Sequence, residues 1–423
     1  MNRPIKVAFV LDSFIIAGGV SAIIEHCHRL GGPDFEPYIV TKHPGGPDRN
    51  WHPAGSSLRV LDFEAARSID FDIAIATWWK TCYELHRLRA RRYAYFVQSL
   101  ESRFYEPTNY GSLKPLVRAT YHLPVVFITE AKWIRETILG MRPGAQVFYV
   151  RNGIDKTIFN LGDKTSFEPN IGGPLRILVE GPLGVWFKDT TKAIEIAAGL
   201  GIPKRITLVT ASEVPPDLRR RVDNVYSNVP VTEMPQIYRD ADVLLKLSKV
   251  EGMFMPPLEA FHCGATVVCT WVTGCEEYLK HAWNALVAFP EDYDSIRRYL
   301  ELIDKDRQLL NLLRCNALAT ANSWPSWELS SCSMADALAE IADGELSVDP
   351  HAALIIPALF QQSTGAGPGQ PIIDTNVILS SGSYRLARRI SGLSQAWPIK
   401  ALTKMVPPRL KHFVKRKLIH QSE

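Results

Sequence analysis

The chain has 423 residues, 46% of them hydrophobic and 22% charged, with a formal net charge of +4. This composition suits a globular enzyme with room for two domains and excludes collagen-like, low-complexity or wholly disordered chains. The charge is uneven: residues 381–423 hold ten Lys/Arg and one acidic residue, leaving 38 basic and 43 acidic residues elsewhere.

The seven cysteines are odd in number and scattered, with no C-x-x-C, which predicts reduced thiols in a cytoplasmic setting and no structural zinc. His26-Cys27-His28 invites a metal reading, but neighbouring helical residues point in different directions, so no metal is expected. The N-terminus leads straight into a strand, with no leader segment expected. No apolar run of about 18 residues is present, so no membrane span is expected.

Ile5 to Leu11 reads as a central parallel strand, followed by a loop ending in Gly18-Gly19 and a helix from Val20 to Leu30. A glycine pair at a strand-to-helix turn lets a ligand approach the backbone closely. Strands follow at FEPYIV, LRVLD, FDIAIAT, RYAYFVQ, PVVFITE and QVFYV, with helices predicted at CYELHRLRA, LKPLVRATYH and AKWIRETILG. Such alternation predicts a mostly parallel sheet that binds ligands at its carboxyl edge. Gln98, Glu101 and Arg103 follow the strand RYAYFVQ and are candidates for lining a cleft or taking an acceptor.

Asn152-Gly153 marks a turn, after which the pattern restarts with LRILVEG, TTKAIEIAAG, ITLVTA, NVYSNV, VTEMPQIYRDA and VLLKL. The loop after LRILVEG runs to Lys188, a point charge suited to a phosphate. VLLKL leads into Glu251-Gly252-Met253-Phe254-Met255-Pro256-Pro257-Leu258-Glu259, then the strand ATVVCT. A crossover helix is predicted to start at Pro256 or Pro257, with Glu259 in its first turns. The free N–H groups of that helix start would favour a bound phosphate. Three amphipathic helical stretches follow, the last over about Trp327 to Ala342.

Two glutamates with seven residues between them, around a small turn at a helix start, resemble the retaining nucleotide-sugar glycosyltransferases of family 4. That resemblance implies the α/β GT-B fold: two Rossmann-like, doubly wound domains facing a central cleft, here with a basic C-terminal extension. It places an acceptor-side domain at 1–151 and a donor-side domain with a crossing-back helix at 152–344, then a linker at 345–380 and a tail at 381–423. By analogy Glu251 and Lys188 are the catalytic candidates, Glu251 meeting the donor sugar and Glu259 the nucleotide ribose. Gly18, Gly19, Gly252, Met253, Phe254 and Met255 would complete the donor site, without a metal cofactor. Two positions depart from the family: Gln98 stands where a histidine is common, and Pro182 where the loop usually offers an arginine. FVQSLESRFYE resembles a subgroup that includes rhamnosyltransferases.

The resemblance implies transfer of a hexose or deoxyhexose, rhamnose among them, to a surface polysaccharide or lipid-linked acceptor. An inactive GT-B scaffold in a polysaccharide assembly complex is the alternative. A dinucleotide oxidoreductase is disfavoured, because no G-x-G-x-x-G follows the first strand. The Pro/Gly/Ser/Gln-rich stretch before the tail reads as a linker. The tail interleaves basic and apolar residues, which suits an anionic membrane surface on the cytoplasmic side, a disordered basic tail or a docking segment for a partner protein, rather than nucleic acid.

Overall fold

The computed structural model describes residues 3–44, 49–105 and 113–344. The stretches 345–380 and 381–423, read above as linker and membrane-seeking tail, lie outside the described residues.

The first half is a seven-stranded parallel sheet ordered β3-β2-β1-β4-β5-β6-β7. Its strands are β1 (Ile5–Leu11), β2 (Phe35–Thr41), β3 (Val60–Leu61), β4 (Asp70–Ala76), β5 (Arg89–Val97), β6 (Val126–Thr129) and β7 (Val147–Tyr149). The second half is a six-stranded parallel sheet ordered β10-β9-β8-β11-β12-β13. It comprises β8 (Leu175–Glu180), β9 (Lys204–Thr210), β10 (Asn224–Ser227), β11 (Val243–Lys246), β12 (Thr266–Thr270) and β13 (Ala285–Ala288). The central strands are buried along their length, which is why they read as near-continuous apolar runs. Each sheet reverses its strand order once, beside β1 and between β8 and β11, and such switch points open a crevice at the carboxyl ends.

The helices of the first half are α1 (Gly18–Arg29), α2 (Phe63–Ala66), α3 (Trp79–Cys82), α4 (Lys114–Thr120) and α5 (Lys132–Met141). Those that follow are α6 (Thr190–Ala198), α7 (Pro216–Arg219), α8 (Met234–Arg239), α9 (Met255–His262), α10 (Tyr293–Lys305), α11 (Arg307–Ser323) and α12 (Trp327–Asp343). α12 returns to the first half and buries Met334, Leu338 and Ile341 in the same cluster as Phe9, Ile24 and Ile75. His26 of α1 is fully buried there, edge-on to Phe96 and Trp327, and burial pushes its pKa down to about 3. It is a neutral core ring.

The helix expected over CYELHRLRA does not form. A single turn, α3, is followed by a 3-10 turn at Leu85–Arg87, and Leu88 is already extended. Pairing of Arg89 and Ala90 with Asp70 and Phe71 of β4 extends the sheet at the helix's expense. Local propensity over nine residues is too weak to resist that. β13 is a strand not anticipated from the sequence; four residues give little period to read.

Candidate functional site

The loop between β11 and α9 carries Glu251, and the loop between β8 and α6 carries Lys188. A backbone bond from Lys249 N to Phe187 O at 2.7 Å holds the loops side by side. Lys188 Nζ donates to both oxygens of Glu251, at 2.8 and 2.9 Å. The carboxylate is largely buried and the ammonium about a quarter exposed. Burial alone would raise the Glu251 pKa, but the charges of Lys188 and then Lys246 outweigh it and hold the group below the usual carboxylate range. Glu251 is thus an ionised acceptor at neutral pH and has no proton to give.

The first half grips the same loop. Met253 N donates to Glu130 Oε1 at 3.0 Å, and Asn152 Nδ2 donates to Glu130 Oε2 at 2.7 Å. Trp133 Nε1 donates to Gly252 O at 3.0 Å, and Arg103 Nη1 to Thr273 Oγ1 at 2.7 Å. Lys132 N and Tyr149 Oη donate to Glu277 at 2.7 and 2.6 Å. Trp186 Nε1 reaches Phe104 O at 3.0 Å, and the Phe104 and Phe187 rings stack with centroids 4.8 Å apart. The two halves therefore meet directly at the Glu251 and Lys188 loops.

Beside this joint lies a cavity of about 300 Å³ shared by both halves. Gly18 and Glu25 line it from the first half, and Asp155, Glu180, Gly181, Tyr238 and Glu259 from the second. Glu259 sits on α9, where Tyr238 Oη donates to its Oε2 at 3.0 Å. Burial, and next the charge of Glu180, push its pKa up to about 7. A wall with several carboxylates suits sugar hydroxyls, which donate, while the Lys188 ammonium next door suits phosphate oxygens.

Several expected residues sit elsewhere. Glu101 does not line the cleft: it is 1% exposed and accepts from Trp79 N at 2.7 Å and Tyr95 Oη at 2.6 Å. Burial pushes its pKa up to about 8, and it serves the core. Arg103 bridges the halves and also lies over the Trp133 ring, so its side chain is engaged at the joint. Gln98 lies where the two halves meet, its amide against Gly19 and its backbone against Gly252. Gly18 and Gly19 form the first turn of α1 rather than a preceding loop, with Ala17 as an extended cap that offers no side chain.

Two of the N–H groups expected to cradle a phosphate between Gly252 and Met255 are engaged within the protein. The Met253 N–H is taken by Glu130, and the Met255 N–H by Met253 O at 2.9 Å. Pro256 and Pro257 in the first turn of α9 have no N–H at all. The side chains of Met253 and Phe254 are buried in the core. Sequence reasoning missed Lys246, a buried lysine closing β11 beside Glu180. Its signal was present: a cation inside the apolar run VLLKL needs a buried partner.

Among the described residues no group of His, Cys, Asp and Glu is arranged to hold a metal, and no helix is long and apolar enough to cross a membrane.

Residues 221–319 match the family model for glycosyl transferases group 1. The O-antigen biosynthesis protein RfbC of Myxococcus xanthus is 28% identical over 265 residues, 61% of this chain and 20% of that protein. The O-antigen chain mannosyltransferase B of Escherichia coli is 35% identical over 100 residues, 24% of this chain and 26% of that protein. The chain thus spans about a fifth to a quarter of these curated relatives. Among solved structures, Anabaena Alr3699/HepE in complex with UDP and glucose superposes with a TM-score of 0.62 at 13% identity, covering 79% of this chain and all of that one. The chain has the two-domain GT-B fold, and residues 221–319 of its second half are similar to the glycosyl transferases group 1 family.

Proposed function

We propose that this chain is a glycosyltransferase that moves a sugar from a nucleoside-diphosphate sugar to a glycan acceptor of an O-antigen-type surface polysaccharide. The observation that carries this reading is the two-oxygen grip of Glu251 on Lys188 at the joint of the halves, next to the Glu259 cavity. Breaking the bond between the anomeric carbon and the diphosphate leaves a cationic sugar and a leaving group that gains negative charge. Lys188 is placed to stabilise that charge, shifting toward the phosphate oxygens while Glu251 turns its acceptor oxygens to the sugar hydroxyls. Glu259 takes the vicinal hydroxyls of the ribose, and Gly18 and Gly19 at the start of α1 offer a helix N-terminus to the diphosphate.

The finer reading is a family 4 enzyme that works with retention and without a metal, so turnover is expected to survive a chelator. The donor is a hexose or deoxyhexose. GDP-mannose, UDP-glucose and dTDP-rhamnose are the first three to test, given the names of the relatives and the likeness of FVQSLESRFYE to rhamnosyltransferases. The basic residues of 381–423 would hold the enzyme on an anionic inner membrane surface. Liposome pelleting that survives deletion of that segment would reject this part.

A thermal-shift panel of these donors and their free nucleoside diphosphates tests the main reading, since a ligand that binds only the folded chain raises its melting temperature. A shift, followed by sugar transfer that Lys188→Met abolishes, is the expected result. A shift without transfer to any glycan would favour the inactive scaffold, which Pro182 in the cavity wall also favours because it contributes no cation. No shift with any nucleotide would sink both.

A further inference from the structure

The donor contacts proposed above leave one buried ammonium without a task. Lys246 closes β11 and is 3% exposed. It donates to the Glu180 carbonyl oxygen at 3.0 Å and to the Glu180 carboxylate. Glu180 closes β8, the neighbour of β11, and lines the cavity together with Glu259. The next residue, Gly181, has φ +145°, and a Cβ there would stand 3.8 Å from Lys246 Nζ and 2.7 Å from Thr190 Oγ1. Gly181, which lines the cavity, therefore lies close against this ammonium.

An unpaired lysine inside a parallel sheet costs several kcal/mol, about what a buried ion pays for lost hydration. Here Glu180 offsets it in direct contact, and the Lys246 charge in turn favours the ionised forms of Glu251 and Glu259. We propose that Lys246 is a positioning residue for the nucleotide end of the site: it holds Glu180 against the Gly181 turn and so leaves Glu259, beside its Tyr238 bond, as the cavity's acceptor for two sugar hydroxyls. This rests on the nucleotide-sugar reading above.

The groups that face Glu259 are Tyr238 on α8, Glu180 on β8, Lys246 on β11 and the Cys263 thiol just past α9. Glu25 of α1 and Asp155 line the same cavity and are both tied to Arg29. Without Lys246, Glu180 and Glu259 become two carboxylates sharing one small cavity, and Glu259, already raised to about 7, keeps its proton to higher pH. A protonated Glu259 gives up an acceptor site and cannot grip a diol.

The test is calorimetric titration of the full chain with UDP, GDP and dTDP from about pH 6 to about pH 9. Lys246→Met should weaken binding at neutral pH about tenfold and move the acid limb of the affinity profile up by about one pH unit. The double variant Lys246→Met/Glu180→Gln, with both charges gone, should return the limb to the wild-type position or below. An unshifted limb in Lys246→Met, or a double variant that recovers nothing, overturns the proposal. Should the single variant fail to fold, Glu180→Gln alone decides: it must move the limb down, and an unchanged limb overturns the proposal. A wild-type chain that binds none of the three overturns the nucleotide reading itself, and this inference with it.

Discussion

A Cβ on Gly252 would stand 1.7 Å from the carbonyl oxygen of Gln98, closer than any real contact. Gly252 belongs to the loop that presents Glu251, and Gln98 follows β5 in the other half. Only glycine lets the second half approach the first this closely, and the contact fixes where Glu251 stands. Gly252→Ala therefore has to push the halves apart. A loss of stability of about 1–3 kcal/mol is expected, the usual range for overpacking, together with weaker nucleotide binding. At Gly18, by contrast, a Cβ would meet nothing within 4 Å, so Gly18→Ala should leave the denaturation midpoint unchanged or slightly raised. Equal midpoints for the two variants would contradict the close approach.

The pair Lys188–Glu251 is unevenly exposed, and its two halves should respond differently. Lys188→Met strands a carboxylate whose side chain is 10% exposed, with Lys246 as its remaining cation among the described residues. Glu251→Gln frees an ammonium with 24% exposure, which can turn to water. Lys188→Met should thus cost more stability, about 1–3 kcal/mol for a buried charged group left without its partner. Both should cut turnover by about 10²–10³-fold if the pair stabilises the departing diphosphate and orients the sugar. The double variant should regain stability without regaining turnover. A chain whose turnover survives Lys188→Met would remove Lys188 from the mechanism.

The two sheets were readable because parallel strands buried on both faces must be apolar throughout, as in IKVAFVL and VLLKL. The loops that carry Glu251 and Lys188 were readable as strand-to-helix connections, because each follows an apolar strand and precedes a helix. The rest depended on partners far away in the chain. Nothing near Glu101 announces that Tyr95 and Trp79 draw it into the core, and nothing near Glu130 reveals that it accepts from Met253, 123 residues on. The helix start at Pro256 and Pro257 was located well, but its free N–H groups were not. Two prolines remove donors, and Glu130 takes another from the opposite half. The Lys246–Glu180 contact joins two strand ends 66 residues apart, so only the sheet order pairs them.

Asp242 offers a test of fold without function. It is fully buried before β11 and accepts from Arg176 Nη2 at 2.6 Å, Asn170 Nδ2 at 2.7 Å and the Arg176 backbone at 3.0 Å. Burial alone would raise its pKa, but Arg176 outweighs that and holds it below the ordinary range. Asp242→Ala leaves Arg176 and the buried Arg314 facing each other without the carboxylate, and about 3–5 kcal/mol of stability should go. Urea midpoints report the loss. Nucleotide affinity of the folded fraction should hold, because Asp242 lies at the opposite end of β11 from Lys246. A stable Asp242→Ala chain would contradict this account.

Glu130 should make the joint between the halves sensitive to base. Burial is the main cause that pushes its pKa up to about 8, with the charges of Glu251 and Glu277 adding to it against two hydrogen bonds. A carboxyl whose folded pKa lies above its unfolded value binds its proton more tightly when folded. The stability it contributes is fully present below about pH 4.5 and is lost as pH rises through about 8. Glu101, raised to about 8, and Glu259, raised to about 7, act in the same direction. Glu251 and Asp242, both lowered, have their effect below the ordinary carboxylate range and do not oppose the loss. Stability should therefore fall between about pH 7 and about pH 9, by up to about 1.4 kcal/mol per pH unit for each proton released, and the melting temperature with it. Glu130→Gln carries no charge to release. Its amide is also tolerable, because the buried Asn152 Oδ1 has no hydrogen-bond partner among the described residues and an amide flip would turn it toward the new N–H group. The variant should fold and show a shallower decline with pH than wild type. Parallel melting curves for the two chains across that range would show that Glu130 is already ionised and that the Met253 contact is held by a carboxylate.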